Sequence, residues 1–250
     1  MMRRVVRLTG NDALTFLQGL VSNDVLALAN GPGVVWTALL TAQGKYLADF
    51  FVVNTGQDLL LDLPEPMADS TLQRLAMYRL RADVAITATD LPVVRGLGDA
   101  PAGALPDPRH PDLGWRFYGA MTAVEVEVEV DWDAIRVRLV IPESGVELIP
   151  GESYLLETGF DRLHGVDFRK GCYVGQEVTA RMKHKTELRK GLVRVTVSAP
   201  VPVGTAILSG GKEAGTLYTQ SGGMGIAWLR FDRAQAMSAG EAVLEVSGAL

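Results

Sequence analysis

An α+β body reaching to about residue 188, followed by a small all-β domain over 189–250, is the architecture that the sequence predicts. Three observations lead to it. Ala13, Phe16, Leu17, Leu20 and Val21 recur at i, i+3, i+4, i+7 and i+8, the spacing of an amphipathic helix. The runs 34–40 and 47–53 are β-type and joined by Thr41-Ala42-Gln43-Gly44, which reads as a hairpin. Beyond Gly191 the chain breaks into short β runs split by glycine, at 192–197, 206–208, 215–218, 224–229 and 242–246.

Each element follows in order. Val5, Val6 and Leu8 read as an opening strand, with Asn11 or Asp12 as cap of the helix that follows. A strand over 59–63 is stopped by Pro64 and Pro66. A second helix is expected from about Ala68, with Leu72, Leu75 and Ala76 on one face. Residues 84–89 and 93–97 read as strands. The stretch 98–114 holds four prolines and three glycines, so it is a long loop or a joint between subdomains. Residues 124–130 alternate valine and glutamate, the pattern of a strand with a solvated acidic face. Asp131 is placed to cap a helix holding Trp132, Ile135 and Leu139, although Val137, Val140 and Ile141 also suit a strand.

Composition removes several function classes. The net charge is −5, so no global basic field recruits nucleic acid. No apolar run approaches the roughly 20 residues of a bilayer span. The start is basic but too short for a signal peptide, and nothing looks cleavable. A lone cysteine, Cys172, excludes an intramolecular disulfide and leads to the expectation of a cytoplasmic protein. His110, His164 and His184 are scattered, and no metal site is expected. Gly211-Lys212 lacks the upstream glycine and the Ser/Thr of a phosphate-binding loop. No Gly-x-Ser-x-Gly elbow is present.

The chemistry concentrates in residues 167–183. The thiol of Cys172 lies between Gly171 and Gly175, behind Arg169 and Lys170. Neighbouring cations favour thiolate, and a helix opening at Gln176 would act in the same direction. The two glycines permit positive φ or close approach to a ligand. Gln176 and Glu177 supply an amide and a carboxylate for a polar heterocycle. On residues alone, Cys172 reads equally well as a small buried hydrophobe in a turn.

Lys170-Gly171-Cys172-Tyr173-Val174-Gly175-Gln176-Glu177 resembles the signature of the YgfZ family, Lys-Gly-Cys-aromatic-x-Gly-Gln-Glu. The resemblance extends over most of the chain: Gly10 to Ala13 with Phe16 to Gly19, Leu39 to Lys45, Asp107-Pro108-Arg109 with Leu113 to Arg116, and Ile226 to Arg230. It implies an architecture like that of the glycine-cleavage T-protein: two related α+β subdomains and a C-terminal β-barrel around a central cavity. It also implies tetrahydrofolate as cofactor. Lys170, Gly171, Tyr173, Gly175, Gln176, Glu177, Arg181 and Asp49 are then the expected binding residues, and Cys172 the reactive one. The implied role is assembly or repair of iron–sulfur clusters in client enzymes. The alternative is a one-carbon transferase like the T-protein.

Two departures bear on that alternative. T-proteins carry an acidic pair where this chain has Ala48-Asp49. They also place a folate-contacting glutamate near 136–140, where this chain has Arg138 and no acid. The basic stretch Arg181, Lys183, His184, Lys185, Arg189 and Lys190 reads either as a partner for the glutamate tail of folate or as a solvated connector.

Overall fold

A computed structural model describes residues 2–121, 130–185 and 187–248. The alternating run 124–130 therefore lies outside the described residues except for Val130. The chain forms two units, Met1–Glu129 with Asp161–Val178, and Val130–Phe160 with Thr179–Leu250.

The first unit is built on a five-stranded antiparallel sheet. Its strands are β1 (Arg3–Thr9), β2 (Gly33–Leu40), β3 (Tyr46–Asn54), β4 (Leu59–Pro64) and β5 (Ala85–Ala88), in the order β2-β3-β4-β1-β5. Side chains alternate across a strand, so each strand feeds two faces. Val6, Leu8, Leu39, Phe50, Val52, Leu61 and Leu63 enter the core on one face, against α1 (Ala13–Gln18) and α2 (Glu65–Arg79). The helix α2 begins three residues earlier than the sequence suggested. Pro66 sits in its first turn, where a missing N–H costs nothing. Leu75 is buried on its inner face, whereas Ala76 is exposed.

The opposite face of the sheet carries Arg3, Trp36, Asp49, Phe51 and Asp62. A three-stranded sheet, β6 (Val93–Gly96), β7 (Leu105–Pro106) and β8 (Trp115–Tyr118), lies in the order β6-β8-β7. The Pro/Gly-rich stretch is thus partly strand, and its Asp107-Pro108-Arg109 turn supplies charge to a buried network. Asp62, fully buried, accepts from Arg3 Nε at 2.6 Å, from Arg116 Nη2 at 2.5 Å and from the Tyr118 hydroxyl at 3.0 Å. Asp107 accepts from Arg109 Nη2 at 2.8 Å and from Arg116 Nη1 at 3.3 Å. The Arg116 guanidinium lies 4.0 Å from the centroid of Phe51, with Arg109 at 5.0 Å from the same ring. Burial alone would raise both carboxyls; Arg3 and Arg116 hold Asp62 below the ordinary range, and Arg109 and Arg116 do so for Asp107.

In the second unit, Asp131 accepts from the Ala134 N–H at 2.9 Å and caps α3 (Trp132–Leu139). The cap and the helix resolve the strand alternative for this segment. Six strands close into a barrel: β9 (Lys190–Val197), β10 (Thr205–Ser209), β11 (Lys212–Ser221), β12 (Met224–Arg230), β13 (Met237–Ala239) and β14 (Ala242–Val246). Alternate residues such as Val193, Val195, Val197, Leu229 and Leu244 fill its interior. Closure removes free strand edges. The residues 130–160 are joined to the barrel through Glu147. Its buried carboxylate accepts from Arg136 Nη2 and Thr219 Oγ1, both at 2.5 Å.

Candidate functional site

The cysteine segment is a loop moored at both ends within the first unit. At its start, Ser22 Oγ donates to the Gly165 carbonyl at 2.7 Å and Asn23 Nδ2 to that of His164 at 2.6 Å. The Lys170 ammonium donates to the carbonyls of Gln18 and Val21, at the C-terminal end of α1. Gln18 Nε2 returns a bond to the Lys170 carbonyl at 3.2 Å. Cations are favoured at a helix C-terminus, where carbonyls are left over. Lys170 also lies 4.8 Å from the Tyr173 ring centroid. Burial lowers its pKa to about 8, with Asp24 and Asp167 opposing the shift. Lys170 thus holds the loop to α1, a contact between distant parts of the chain that the sequence reading did not include.

At the far end, Gly175 lies against the β2–β3 turn. A Cβ there would meet the Thr41 carbonyl oxygen at 2.3 Å, and φ is +83°. The close approach expected of this glycine is made to the protein's own hairpin. Gly171 has φ +91° and open space around it, so only its conformation requires glycine. Gly175→Ala is expected to destabilise the protein by about 2 kcal/mol or more, from the left-handed conformation and the backbone clash together. Gly171→Ala should cost only the conformational part, about 1 kcal/mol. Thermal melts of the two variants check this, and equal losses would refute the mooring.

Between the moorings, Tyr173 is buried and Val174 joins the core of the unit. The Tyr173 N–H donates to Gln176 Oε1 at 3.3 Å. Cys172 is exposed, so it is not the buried hydrophobe that the residues alone equally allowed. The helix α4 (Gln176–Lys185) starts directly after Gly175, and Glu177 and Arg181 on it are exposed. Lys190, from the basic stretch, pairs with Glu157 at 3.5 Å and lies 5.0 Å from the Trp228 ring centroid, a structural use within the second unit.

Asp49 lies on β3, on the sheet face away from the helices. It is 5% exposed, and its two oxygens accept from Trp36 Nε1 at 2.8 Å and from the Tyr46 hydroxyl at 2.6 Å. A cavity of about 600 Å³ opens beside the first mooring, lined by Asn23, Asp24, His164, Asp167, Phe168 and Arg169 among others. Its walls do not include Asp49 or residues 171–177. Among the described residues, no three His, Cys, Asp or Glu side chains are grouped to hold a metal ion, and no helix is long and apolar enough to cross a membrane.

Comparison with known proteins places this geometry. Residues 189–249 match the family described as CAF17, C-terminal beta-barrel domain. The mitochondrial iron–sulfur cluster assembly factor IBA57 homolog of Mycosarcoma maydis is 35% identical over 76% of this chain and 54% of its own length. That of Neurospora crassa is 30% identical, over 76% and 51%. Human mitochondrial IBA57 is 29% identical over 91% of this chain and 75% of its own length. The chain thus spans about half the length of the two fungal relatives. The glycine cleavage system aminomethyltransferase T of Bartonella henselae superposes with a TM-score of 0.75 over 98% of this chain and 83% of its own, at 12% identity. The fold is therefore the expected T-protein-like one, mixed α/β with a C-terminal barrel of six strands. The expected cytoplasmic location is corrected by these relatives, which are mitochondrial factors and indicate that compartment. The cysteine count behind that expectation separates reducing from oxidising compartments only.

Proposed function

From the likeness of this chain to the IBA57 iron–sulfur cluster assembly factors, on a T-protein-like fold, we propose that it supports assembly or repair of iron–sulfur clusters through Cys172, as a YgfZ-type protein that binds tetrahydrofolate. The observation that carries this reading is an exposed thiol on a loop fixed at both ends. A thiolate is a soft ligand and a nucleophile, suited to iron–sulfur chemistry. Clusters take four ligands, typically cysteines. With one cysteine in the chain, the remaining ligands come from a carrier or client.

The one-carbon transferase is the weaker reading. Such an enzyme needs an acid free to meet the reacting amine. Asp49 is buried, with both oxygens already accepting hydrogen bonds. For folate, Gln176 is compatible: its Oε1 accepts from the Tyr173 N–H, and its amide N–H groups suit the acceptors of a pterin edge.

Two measurements test the proposal. Depleting the protein should lower the activity of iron–sulfur enzymes and leave enzymes without clusters unchanged. Tetrahydrofolate should raise the melting temperature, since a ligand at a hundred times its Kd adds about 2.7 kcal/mol to a protein that binds it only when folded. No shift at saturating folate, with no heat in calorimetry, would remove folate from the proposal.

A further inference from the structure

The helix α2 has apolar side chains on two sides. Ala68 and Leu75 are buried, yet Met77 is 61% exposed and Tyr78 41% exposed in its last turn. Arg74 lies three and four residues before them, hence on the same helix face. The helix ends in a tight turn closed by the Ala82 N–H donating to the Arg79 carbonyl at 2.8 Å. Leu80 forms the first corner of that turn with φ 41° and ψ −103°. This corner has the geometry for which glycine is the usual residue. Leu80 is also 89% exposed, so its side chain gains no burial to offset the strain. A bulky residue held at positive φ with no packing reward points to a use outside the fold. Arg79 has a local partner in the Val84 carbonyl, 3.4 Å away. Among the described residues, no ion pair joins Arg74, Arg79 or Arg81 to a carboxylate.

We propose that Met77, Tyr78 and Leu80, flanked by Arg74, Arg79 and Arg81, form a docking knob for an acidic protein surface with an apolar recess, on a protein that delivers or receives iron–sulfur clusters. The identity of that protein class rests on the function proposed above; the chemistry of the knob does not. Three arginines on a chain of net charge −5 form a local reversal of sign, which steers an acidic partner to this spot. Three apolar side chains at one helix end offer far less apolar surface than the long face of a helix that lies in a bilayer, so a recess on a protein fits the knob better than a lipid surface. Aromatic and arginine side chains around an apolar anchor are the usual composition of an interface centre.

The strain makes the test discriminating. Leu80→Gly removes the knob and relaxes the turn, so the melting temperature should hold or rise. In cells relying on the variant at matched abundance, iron–sulfur enzyme activity should fall about tenfold, the factor given by roughly 1.4 kcal/mol of lost docking. The charge reversal Arg74→Glu with Arg81→Glu should give the same loss, with Cys172 labelling unchanged. A photo-crosslinker, Tyr78→p-benzoylphenylalanine, should join an acidic stretch of an iron–sulfur protein, and reversing those acids to lysine should restore the double variant. If both variants support activity like wild type while Cys172→Ala does not, the knob is refuted and the thiol reading survives. If Cys172→Ala also has no effect, the function proposed above fails, and the crosslink decides the knob alone: no acidic protein adduct refutes it. Wild type binding to phosphatidylcholine–phosphatidylserine vesicles, lost in Leu80→Gly, would overturn the protein partner in favour of a lipid one.

Discussion

Cys172→Ala is expected to abolish support of iron–sulfur enzymes while leaving the fold intact. The thiol is exposed and contributes no packing, so stability should stay within about 0.5 kcal/mol of wild type. The chemical loss is of another order. Even the partners that orient a metal ligand are worth about 10 to 100-fold in metal affinity, and the ligand itself more. Iron–sulfur enzyme activity in cells should therefore fall about tenfold or further. Cys172→Ser should fail as well, because a hydroxyl is neither a soft ligand nor ionised at neutral pH. Tetrahydrofolate should still raise the melting temperature of both variants. The decisive comparison sets them beside Asp49→Ala at matched abundance. Full complementation by Cys172→Ala with failure of Asp49→Ala would exchange the thiol mechanism for one-carbon transfer.

Asp62→Asn should produce the largest loss of stability of any single polar change in the first unit. The substitution keeps shape and removes one charge, leaving Arg116 buried beside an amide. Breaking one partner of a buried ion pair costs about 3–5 kcal/mol. For a chain of this size that corresponds to a fall of roughly 6–20 °C in melting temperature. The pH dependence carries the same signature. Asp62 and Asp107 have folded-state pKa values below their unfolded ones. Their contribution is thus complete above the unfolded carboxylate value of about 3.9 and drains away as pH falls from there toward the folded values. Wild type should lose stability steeply below about pH 4, and Asp62→Asn should show a shallower slope over the same interval. Equal slopes would mean that the network is not ionised as its geometry requires.

These two sites differ in how far the sequence exposes them. The motif around Cys172 is one short segment, and its residues are near each other because the chain is continuous. The loop character of the segment and the helix after Gly175 were legible for that reason. The job of Lys170 was not, since Gln18 and Val21 lie about 150 residues away along the chain. The Asp62 network joins β1, β4 and β8, so no local pattern announces it. Arg116 lies just past the Pro/Gly-rich stretch, outside every strand the sequence predicts, although the structure places it on β8. Periodicity found α1, the hairpin and most barrel strands, because each spans enough residues to repeat. It passed over β13, whose three residues hold too little pattern to separate from a turn. Leu80 was invisible in another way. Its oddity lies in a backbone angle, and nothing in Arg-Leu-Arg signals a corner built for glycine.

The closed barrel bears on the order in which this chain can fold during synthesis. The strand β14 lies between β9 and β13 and pairs with both, Leu244 with Val197 and with Met237. Of the six barrel strands it is also the last in chain order, so it emerges from the ribosome after the other five. Until it emerges, β9 and β13 each present an unpaired row of backbone groups, and the nascent domain is an open ribbon. The first unit draws on residues up to 178 and needs none of these strands, so it has time to fold first. A ribosome stalled before residue 242 would hold a chain with two sticky edges, and chaperone contact should peak in that interval.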